Sequence, residues 1–536
     1  MNSYTGAYAS DTFNFAAGET LTGTPGADTL VGGKGDDTIV GGIGADLLVG
    51  GAGNDSIVWN PGDGSDTVDG GKGEDTMVFN TSNIGEIVTL SGGEGSHVLL
   101  SRNVASINMD LNNIERVVFA GAGGGADTFV VGDLTRSDVR LVDIDLGVPG
   151  GAGDGAVDTV ATGGSEIADH ITLTNNAGAV TIDGLGTNLI VRHGEVTDRF
   201  AVSTGSGDDS VDVSHLAGGI SVVLDGGEGQ DTVFANGDDA ANNIVLSGFN
   251  APANPDGDQA DVSIEGSAFS HLGLRNVETF SINAGEGDDH VDAHGYSALA
   301  GLAVDGGGGN DTLVGGNGAD TLSGGKGDDR IDGSGGADLM RGDAGDDTLV
   351  WNPGGGSDSV DGGKGQDTLE FNTTNIAENI GLSAGADGHA LLTRNVASIN
   401  MDLTDVERVN FGGGGGGADQ FTIGDLTGTS IQQVNIDLRL FGGGGDSASD
   451  TVSLTTPAGH AHLGVDVIGF EAHLGALQGD VLALNGFADH TLADAVANQH
   501  IVQSGFDVII DDGSGLVVTL HGATLASLGA SDFLFG

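Results

Sequence analysis

Residues 23–58 decide the fold of this chain, since they read GTPGADTLV, GGKGDDTIV, GGIGADLLV and GGAGNDSIV, four nine-residue units in unbroken register. Five more units occupy residues 306–350, and a Trp-Asn pair followed by two further units comes after each run, at residues 61–78 and 353–370. All thirteen units carry Asp at position 6 and an aliphatic residue or Met at position 8. A fixed short period of this kind is typical of a solenoid.

Each unit divides into a six-residue turn and a three-residue strand. Glycines at positions 1, 2 and 4 permit positive φ and close backbone approach, and the side chain at position 8 points inward. Two units make one coil of 18 residues, so equivalent aspartates stack at the strand spacing of about 4.8 Å. Carboxylates that close repel one another unless a cation lies between them, so the pattern predicts bound cations.

The composition of the chain excludes several classes of protein and several kinds of binding partner. Glycine fills 102 of 536 positions and proline only 7, which excludes collagen and proline-rich disorder. Asp and Glu number 78 against 16 Lys and Arg, and the net charge of -62 argues against binding to nucleic acid or to a membrane. Because the chain has no cysteine, metal binding would depend on oxygen ligands, for which calcium is the leading candidate.

A longer repeat overlies the short one, because a shift of 292 residues aligns residues 55–146 with residues 347–438 without a gap. Between the blocks, apolar and polar residues alternate with Gly and Asp turns, which predicts short strands. We therefore predict an all-β protein, a parallel β-roll or β-helix solenoid built as a duplicated array. The predicted regions are an N-terminal cap (1–22), the first repeat block (23–79), an intervening solenoid-like region (80–200), a degenerate repeat region (201–305), the second block (306–371), an intervening region (372–460) that repeats residues 80–168, and a C-terminal β-rich capping or secretion module (461–536).

The nonapeptide resembles the RTX, or hemolysin-type, calcium-binding repeat, a family whose parallel β-roll binds calcium between successive turns. The resemblance implies that position-6 aspartates of stacked turns hold calcium together with glycine-loop carbonyls, for example those of Gly33, Gly35 and Gly50. We expect about 8 to 12 calcium ions per chain. The expected aspartate ligands of the two blocks and of three degenerate units are Asp28, Asp37, Asp46, Asp55, Asp66, Asp75, Asp209, Asp231, Asp289, Asp311, Asp320, Asp329, Asp338, Asp347, Asp358 and Asp367.

Departures from the motif predict where this pattern weakens. Ser334 and Asp343 stand where the motif has glycine, and the pairs Trp59-Asn60 and Trp351-Asn352 interrupt the 18-residue register. These departures argue against complete calcium sites at those edges of the two blocks.

The end of the chain is similar to the C-terminal module of type I exported RTX proteins, at DVL (480–482), GFDV (505–508) and DFLFG (532–536). Residues 1–22 lack the basic and apolar segments of a signal peptide, and no apolar run is long enough for a membrane helix. The resemblance implies a bacterial protein that type I secretion machinery exports by an uncleaved C-terminal signal and that folds with calcium outside the cell. An ordinary β cap over the open solenoid edge is the alternative for this region.

We do not predict a catalytic centre. The stretch GLSAG (381–385) matches the nucleophile-elbow pattern around Ser383, but the equivalent residues 89–93 read TLSGG and no α/β pattern surrounds it. We expect a non-catalytic structural or adhesive component of a surface layer or matrix, which would contact cell-surface polysaccharide or other copies of itself. The alternatives are the RTX scaffold of an extracellular hydrolase or toxin-like protein, and a glycan-binding matrix protein.

Overall fold

A computed structural model describes residues 3–5, 18–120, 124–148, 152–176, 178–216, 221–237, 240–247, 260–265, 271–296, 301–412, 417–439, 448–457, 462–473 and 479–536. The chain forms two compact units. Unit 1 comprises Met1–Asn236 and Ser247–Ser281, and unit 2 comprises Gly237–Leu246 and Ile282–Gly536.

The first repeat block folds into coils that contribute strands alternately to two parallel sheets. Equivalent residues pair one coil apart, as Thr29 does with Leu47 and Thr38 with Ser56. This arrangement confirms the prediction of an all-β parallel β-roll. The strands of the first block are Thr20–Thr22, Thr38–Val40, Ser56–Trp59 and Thr76–Asn80 in one sheet, and Thr29–Lys34, Leu47–Ala52 and Thr67–Lys72 in the other.

The two sheets differ in strand length, which the nonapeptide pattern did not predict. In one sheet the strand is the expected three residues, as in Thr38–Val40. In the other, Thr29–Lys34 continues through the glycines of the next turn, because Gly33 and Lys34 also pair with the following coil. The expectation of three-residue strands throughout is therefore wrong for the second sheet, and in the first sheet it also fails at Ser56–Trp59 and Thr76–Asn80.

The core of each coil is thin, as the composition predicts. Leu30, Ile39, Leu48 and Ile57, all at position 8, are at most 3% exposed. Burial of each such side chain contributes roughly 1.5–3 kcal/mol, so many coils must stack before a unit becomes stable.

The Trp-Asn pair lengthens a coil without breaking the stack. Coils that contain it have 20 residues, and Leu47 pairs with Thr67 as Thr29 pairs with Leu47. Trp59 is buried, its Nε1 donates to the carbonyl oxygen of Gly64 at 2.8 Å, and its ring stacks on Phe79 at 4.2 Å between centroids. The side chain thus fills the space created by the two additional residues.

Three strands inserted in reverse order interrupt one sheet of unit 1. Ile87–Gly92, Val98–Arg102 and Ile107–Asn112 pair antiparallel with one another. The last of them pairs parallel with Thr67–Lys72, and the first pairs parallel with Thr128–Val131. The chain therefore skips ahead three positions in the sheet, folds back on itself, and then resumes parallel stacking.

The other sheet of unit 1 holds a matching insertion. His170–Asn176, Ala179–Asp183 and Asn188–Arg192 pair antiparallel. Asn188–Arg192 pairs parallel with Leu141–Asp145, and His170–Asn176 pairs parallel with Ser210–His215. Both sheets of unit 1 therefore carry an insertion of three strands in reverse order.

Unit 2 repeats the first of these insertions 292 residues later. Asn379–Ala384, Ala390–Arg394 and Ile399–Thr404 pair antiparallel, between Ser359–Asp361 on one side and Gln420–Ile423 on the other. The internal duplication seen in the sequence is therefore also a duplication of topology.

The C-terminal region is β-rich, as predicted. Ile501–Ser504, Asp507–Asp511 and Leu516–His521 form an antiparallel meander, and the last strand pairs parallel with Leu463–Ile468. Phe533–Phe535 pairs parallel with Val481–Asn485. This region therefore extends both sheets of unit 2.

Helices are few and short among the described residues, and none is long and apolar enough to span a membrane. The α-helix is Leu492–Ala497, and the 3-10 helices are Val104–Ser106, Val396–Ser398, Leu525–Ser527 and Ala530–Asp532. The remaining strands are Ser3–Thr5, Arg116–Ala120, Gly147–Val148, Ala152–Gly153, Thr159–Gly163, Arg199–Ser203, Ser221–Asp225, Thr232–Asn236, Asn243–Ser247, Ala260–Glu265, His271–Arg275, Thr279–Asn283, His290–Asp292, Gly301–Gly308, Thr312–Val314, Thr321–Lys326, Arg330–Asp332, Leu339–Ala344, Thr348–Trp351, Thr368–Asn372, Arg408–Gly412, Gln433–Asp437 and Thr451–Thr455.

Candidate metal centre

Buried acidic side chains at the ends of the turns form ladders along the coils, and we call each such residue a rung. The backbone N–H of Asp37 donates to Oδ1 of Asp55 at 2.8 Å, and that of Asp55 donates to Oδ1 of Asp75 at 2.7 Å. The same contact joins Asp311 to Asp329 and Asp329 to Asp347, each at 2.8 Å. One carboxylate oxygen of each rung is thus used to hold the preceding coil.

At many rungs the other carboxylate oxygen, Oδ2, is buried and has no hydrogen-bond partner among the described residues. A buried charged acceptor left in this state costs several kcal/mol, so the folded ladder needs either a proton or a cation at these oxygens. The rungs with such an Oδ2 are Asp37, Asp46, Asp55, Asp75, Asp127, Asp209, Asp231, Asp311, Asp329, Asp338, Asp347 and Asp367.

Backbone carbonyls lie beside these oxygens. A Cβ atom placed on Gly306 would lie 2.5 Å from Asp311 Oδ2 and 2.5 Å from the carbonyl oxygen of Gly324 in the next coil. Glycine at position 1 therefore keeps open a small space walled by oxygen atoms from two coils. Within the described residues no three His, Asp or Glu side chains converge, so an ion here would need carbonyl ligands as well. An oxygen-only set of carboxylates and carbonyls suits calcium.

The electrostatics of the ladder also favour a bound cation. Burial, together with the neighbouring carboxylates of Asp358 and Asp320, raises the pKa of Asp338 to about 8, although the backbone hydrogen bond from Asp320 acts to lower it. Burial and adjacent rungs likewise raise the pKa of Asp329 to about 7 and that of Asp66 to about 6. These shifts mean that the folded ladder holds negative charge poorly until something compensates it.

The structure places all sixteen predicted aspartates, Asp28 to Asp367, at the ends of turns, each at most 8% exposed. Of the three predicted glycine carbonyls, that of Gly50 lies beside Asp37 Oδ2. The carbonyls of Gly33 and Gly35 face the glycines of the next coil, Gly51 and Gly53.

The departures from the motif do not interrupt the backbone hydrogen bonds of the ladder, and the expectation of incomplete calcium sites at those edges stays a prediction. Ser334 and Asp343 adopt φ values of 61° and 71°, the left-handed conformation that the motif glycine supplies elsewhere. Across the 20-residue coil, the backbone N–H of Asp338 still donates to Oδ1 of Asp358, at 3.0 Å.

Sequence reasoning missed the continuation of the ladders through the intervening regions. The backbone N–H of Asp127 donates to Oδ1 of Asp158 at 2.8 Å, although 31 residues separate them. Each missed acid precedes a buried apolar residue by two positions, which is a signal in the sequence but one without a fixed period. The missed rungs are Glu86, Glu115, Asp127, Asp158, Asp169, Asp198, Glu278, Glu378, Glu407, Asp419, Asp450 and Asp480.

A solved structure of an extracellular lipase is similar to part of this chain. The crystal structure of the extracellular lipase LipA from Serratia marcescens is 13% identical, with a TM-score of 0.15, over 50% of this chain and 44% of that chain. This chain thus spans less than half the length of that lipase. No curated protein matches the chain.

The family model for the RTX calcium-binding nonapeptide repeat matches residues 22–57, 62–80, 221–239, 305–340, 314–349 and 354–370. These matches cover both repeat blocks and the degenerate unit around Asp231, and they confirm the resemblance seen in the sequence. The chain therefore carries RTX calcium-binding nonapeptide repeats in several copies, and these repeats are folded as a β-roll.

Proposed function

We propose that this chain is a secreted calcium-binding protein whose β-roll folds when calcium binds outside the cell. The observation that carries the proposal is the set of buried rung oxygens that lack a hydrogen-bond partner. With the chain folded and no cation present, each of these oxygens is a desolvated charge next to another. A divalent ion between rungs would convert this repulsion into attraction.

Backbone hydrogen bonds orient the carboxylates of the proposed calcium sites. The backbone N–H of one rung orients the carboxylate of the next, which leaves Oδ2 directed toward the glycine carbonyls. Bound calcium would supply the missing positive charge and would bridge adjacent coils through these oxygens. At free calcium about ten times the dissociation constant, each site adds roughly 1.4 kcal/mol, and about eight sites add on the order of 11 kcal/mol. That sum is comparable with the stability of a whole domain.

This dependence fits export as an unfolded chain. A polypeptide with a net charge of -62 resists collapse by self-repulsion where calcium is scarce, as in a bacterial cytoplasm. The proposed route is type I secretion through the C-terminal region, followed by folding in extracellular calcium. On this proposal calcium and the type I secretion machinery are the partners of the chain.

We further propose that the protein acts as a structural or adhesive component rather than as an enzyme. Ser383 is exposed in the strand Asn379–Ala384, where it pairs with Leu391 in an antiparallel insertion. A nucleophile elbow requires a sharp strand-to-helix turn instead. A screen against esters, peptides and polysaccharides tests the alternatives, since turnover lost in Ser383→Ala would establish a hydrolase.

The calcium dependence is tested by circular dichroism during a calcium titration, with reversal by EDTA and a count of bound ions. We expect the strand signal and the midpoint of denaturant unfolding to rise with calcium and to fall when chelator is added. Magnesium is the matched control, because its strict octahedral geometry suits a carbonyl-rich site poorly. A chain that is equally structured in excess EDTA and retains no metal would refute the proposal.

A further inference from the structure

Two rungs of the ladders are paired with an arginine. In unit 1 the Nε and Nη2 of Arg102 donate to the two carboxylate oxygens of Glu86, at 2.6 and 2.5 Å. In unit 2 Arg394 contacts Glu378 in the same way, at 2.9 and 2.6 Å. The arginine side chains are 3% and 2% exposed, and both glutamates are fully buried.

These two rungs have no unsatisfied oxygen. The backbone N–H of Ser82 donates to Glu86 Oε1 at 2.9 Å, and the Ser82 hydroxyl donates to the same atom. Thr374 serves Glu378 identically. Burial would raise the pKa of Glu86, but the hydrogen bonds from Arg102 and Ser82 outweigh it and hold that pKa below its ordinary value. For Asp329 and Asp338, rungs of the second repeat block, burial instead raises the pKa.

Each guanidinium group also contacts a backbone carbonyl and a tryptophan ring. Arg102 Nη1 donates to the carbonyl oxygen of Val104 at 3.4 Å, and its Cζ lies 5.3 Å from the centre of the Trp59 ring. Arg394 lies at the same distance from Trp351. The tryptophan that fills the 20-residue coil thus also provides an aromatic face for the buried cation.

The position of each pair in the sheet explains why an arginine is found there. Asp66 ends one run of rungs and Glu86 begins the next, on either side of the three inserted strands. The strand beside Glu86 is therefore the antiparallel Val98–Arg102, in which Arg102 pairs with Val88, rather than another acidic turn. On its other side, the N–H of Glu86 donates to Oδ1 of Asp127 at 2.8 Å, as in any ladder.

We infer that Arg102 and Arg394 take the place of calcium at these two rungs, so that Glu86 and Glu378 bind no calcium while the arginine is present. The inference rests on the proposed calcium-dependent folding. A guanidinium is permanently charged and matches a carboxylate bidentately, so it can neutralise a buried rung without an ion from solution. The insertions at residues 87–112 and 379–404 then each lie beside a buried rung that is neutralised without calcium, next to a block that needs calcium.

The direct test counts bound calcium in the full chain at saturation. Arg102→Met removes the charge but keeps much of the apolar length, and we expect it to bind one calcium ion more than the wild-type chain, because Glu86 becomes available. The double variant Glu86→Gln/Arg102→Met should return to the wild-type count. Arg102→Lys is the matched control and should also keep the wild-type count, since it retains the charge.

Two further measurements apply if Arg102→Met does not fold. Arg394→Met makes the same test in unit 2. Hydrogen exchange of the wild-type chain in EDTA needs no variant, and we expect amides of Val98–Arg102 to exchange at least tenfold more slowly than those of Thr38–Val40. Equal exchange in both strands would overturn the inference.

The inference and the proposed function fail in different ways. A wild-type chain that binds calcium but loses one ion on Glu86→Gln would overturn the role of Arg102 and leave calcium-dependent folding intact. A folded Arg102→Met with an unchanged ion count would do the same. A wild-type chain that holds no calcium at all would overturn the proposed function, and the inference with it.

Discussion

Replacement of Asp329 by Asn is expected to change stability in opposite directions with and without calcium. Asp329 is 2% exposed; its Oδ1 accepts the N–H of Asp311, its own N–H donates to Asp347, and its Oδ2 has no hydrogen-bond partner among the described residues. Asparagine has the same shape and keeps the Oδ1 acceptor. The substitution therefore removes one buried charge while it retains the contact between coils.

The magnitude follows from the spacing of the rungs. Two unit charges separated by the strand spacing of about 4.8 Å repel by about 3.5 kcal/mol at an effective dielectric constant of 20. Burial, followed by the charges of Asp311 and Asp347, raises the pKa of Asp329 to about 7, so partial protonation relieves some of this repulsion near neutral pH. We expect Asp329→Asn to stabilise the chelated protein by about 1–3 kcal/mol above pH 8. With calcium at ten times the dissociation constant, the loss of one site costs about 1.4 kcal/mol.

The assay is denaturant unfolding of the full chain, followed by circular dichroism in excess EDTA and in saturating calcium. Asp328→Asn is the matched control, because Asp328 is exposed and the equivalent residue of the preceding coil is already asparagine, Asn310, which accepts the N–H of Asp328 at 2.8 Å. We expect the control to change the free energy of unfolding by no more than about 0.5 kcal/mol in either condition. If Asp329→Asn destabilised the chelated protein as much as the calcium-bound one, the ladder would not be a set of mutually repelling charges.

Three other predictions concern the pH dependence of stability, the oxygen-walled space that glycine at position 1 keeps open, and the tryptophan of the 20-residue coil. In EDTA the folded chain binds more protons than the unfolded chain, because the pKa values of the rungs are raised in the folded state. The free energy of unfolding should therefore be highest below about pH 4 and should fall as the pH rises through about 6 to about 8. Thermal unfolding that shows stability rising over that range would contradict this. Gly306→Ala should weaken calcium binding at least tenfold in a titration, since its Cβ would lie 2.5 Å from Asp311 Oδ2, whereas Gly301→Ala, where the nearest atom would be 3.4 Å away, should leave affinity unchanged. Trp351→Ala should lower the free energy of unfolding by about 3–5 kcal/mol, because the ring is 1% exposed and stacks on Phe371, and Trp351→Phe, which keeps an aromatic ring, should cost less when measured by the same denaturant unfolding.

The parts of the site that could be predicted are those formed by residues close to one another in the sequence. In the repeat blocks, position-8 residues such as Leu48 and rungs such as Asp55 recur at fixed intervals, so the coil, the inward side chains and the stacking of aspartates follow from neighbouring residues. The left-handed φ at Ser334 shows the limit of this reasoning, because the coil imposes its backbone conformation even where glycine is absent. Contacts between coils restrain that turn more strongly than the local preference of serine opposes it.

The nine-residue pattern is enough to predict the β-roll, its aspartate rungs and the oxygen-rich character of its metal sites, since all three arise from interactions repeated within one or two turns. The folded chain was needed to show that Glu86 lies beside Arg102, that Asp127 stacks on Asp158, and that three strands enter each sheet in reverse order. Those pairings depend on which strand becomes the neighbour of which. Strand neighbours across an antiparallel insertion are chosen by the packing of whole coils and by burial of charge, neither of which leaves a period in the sequence.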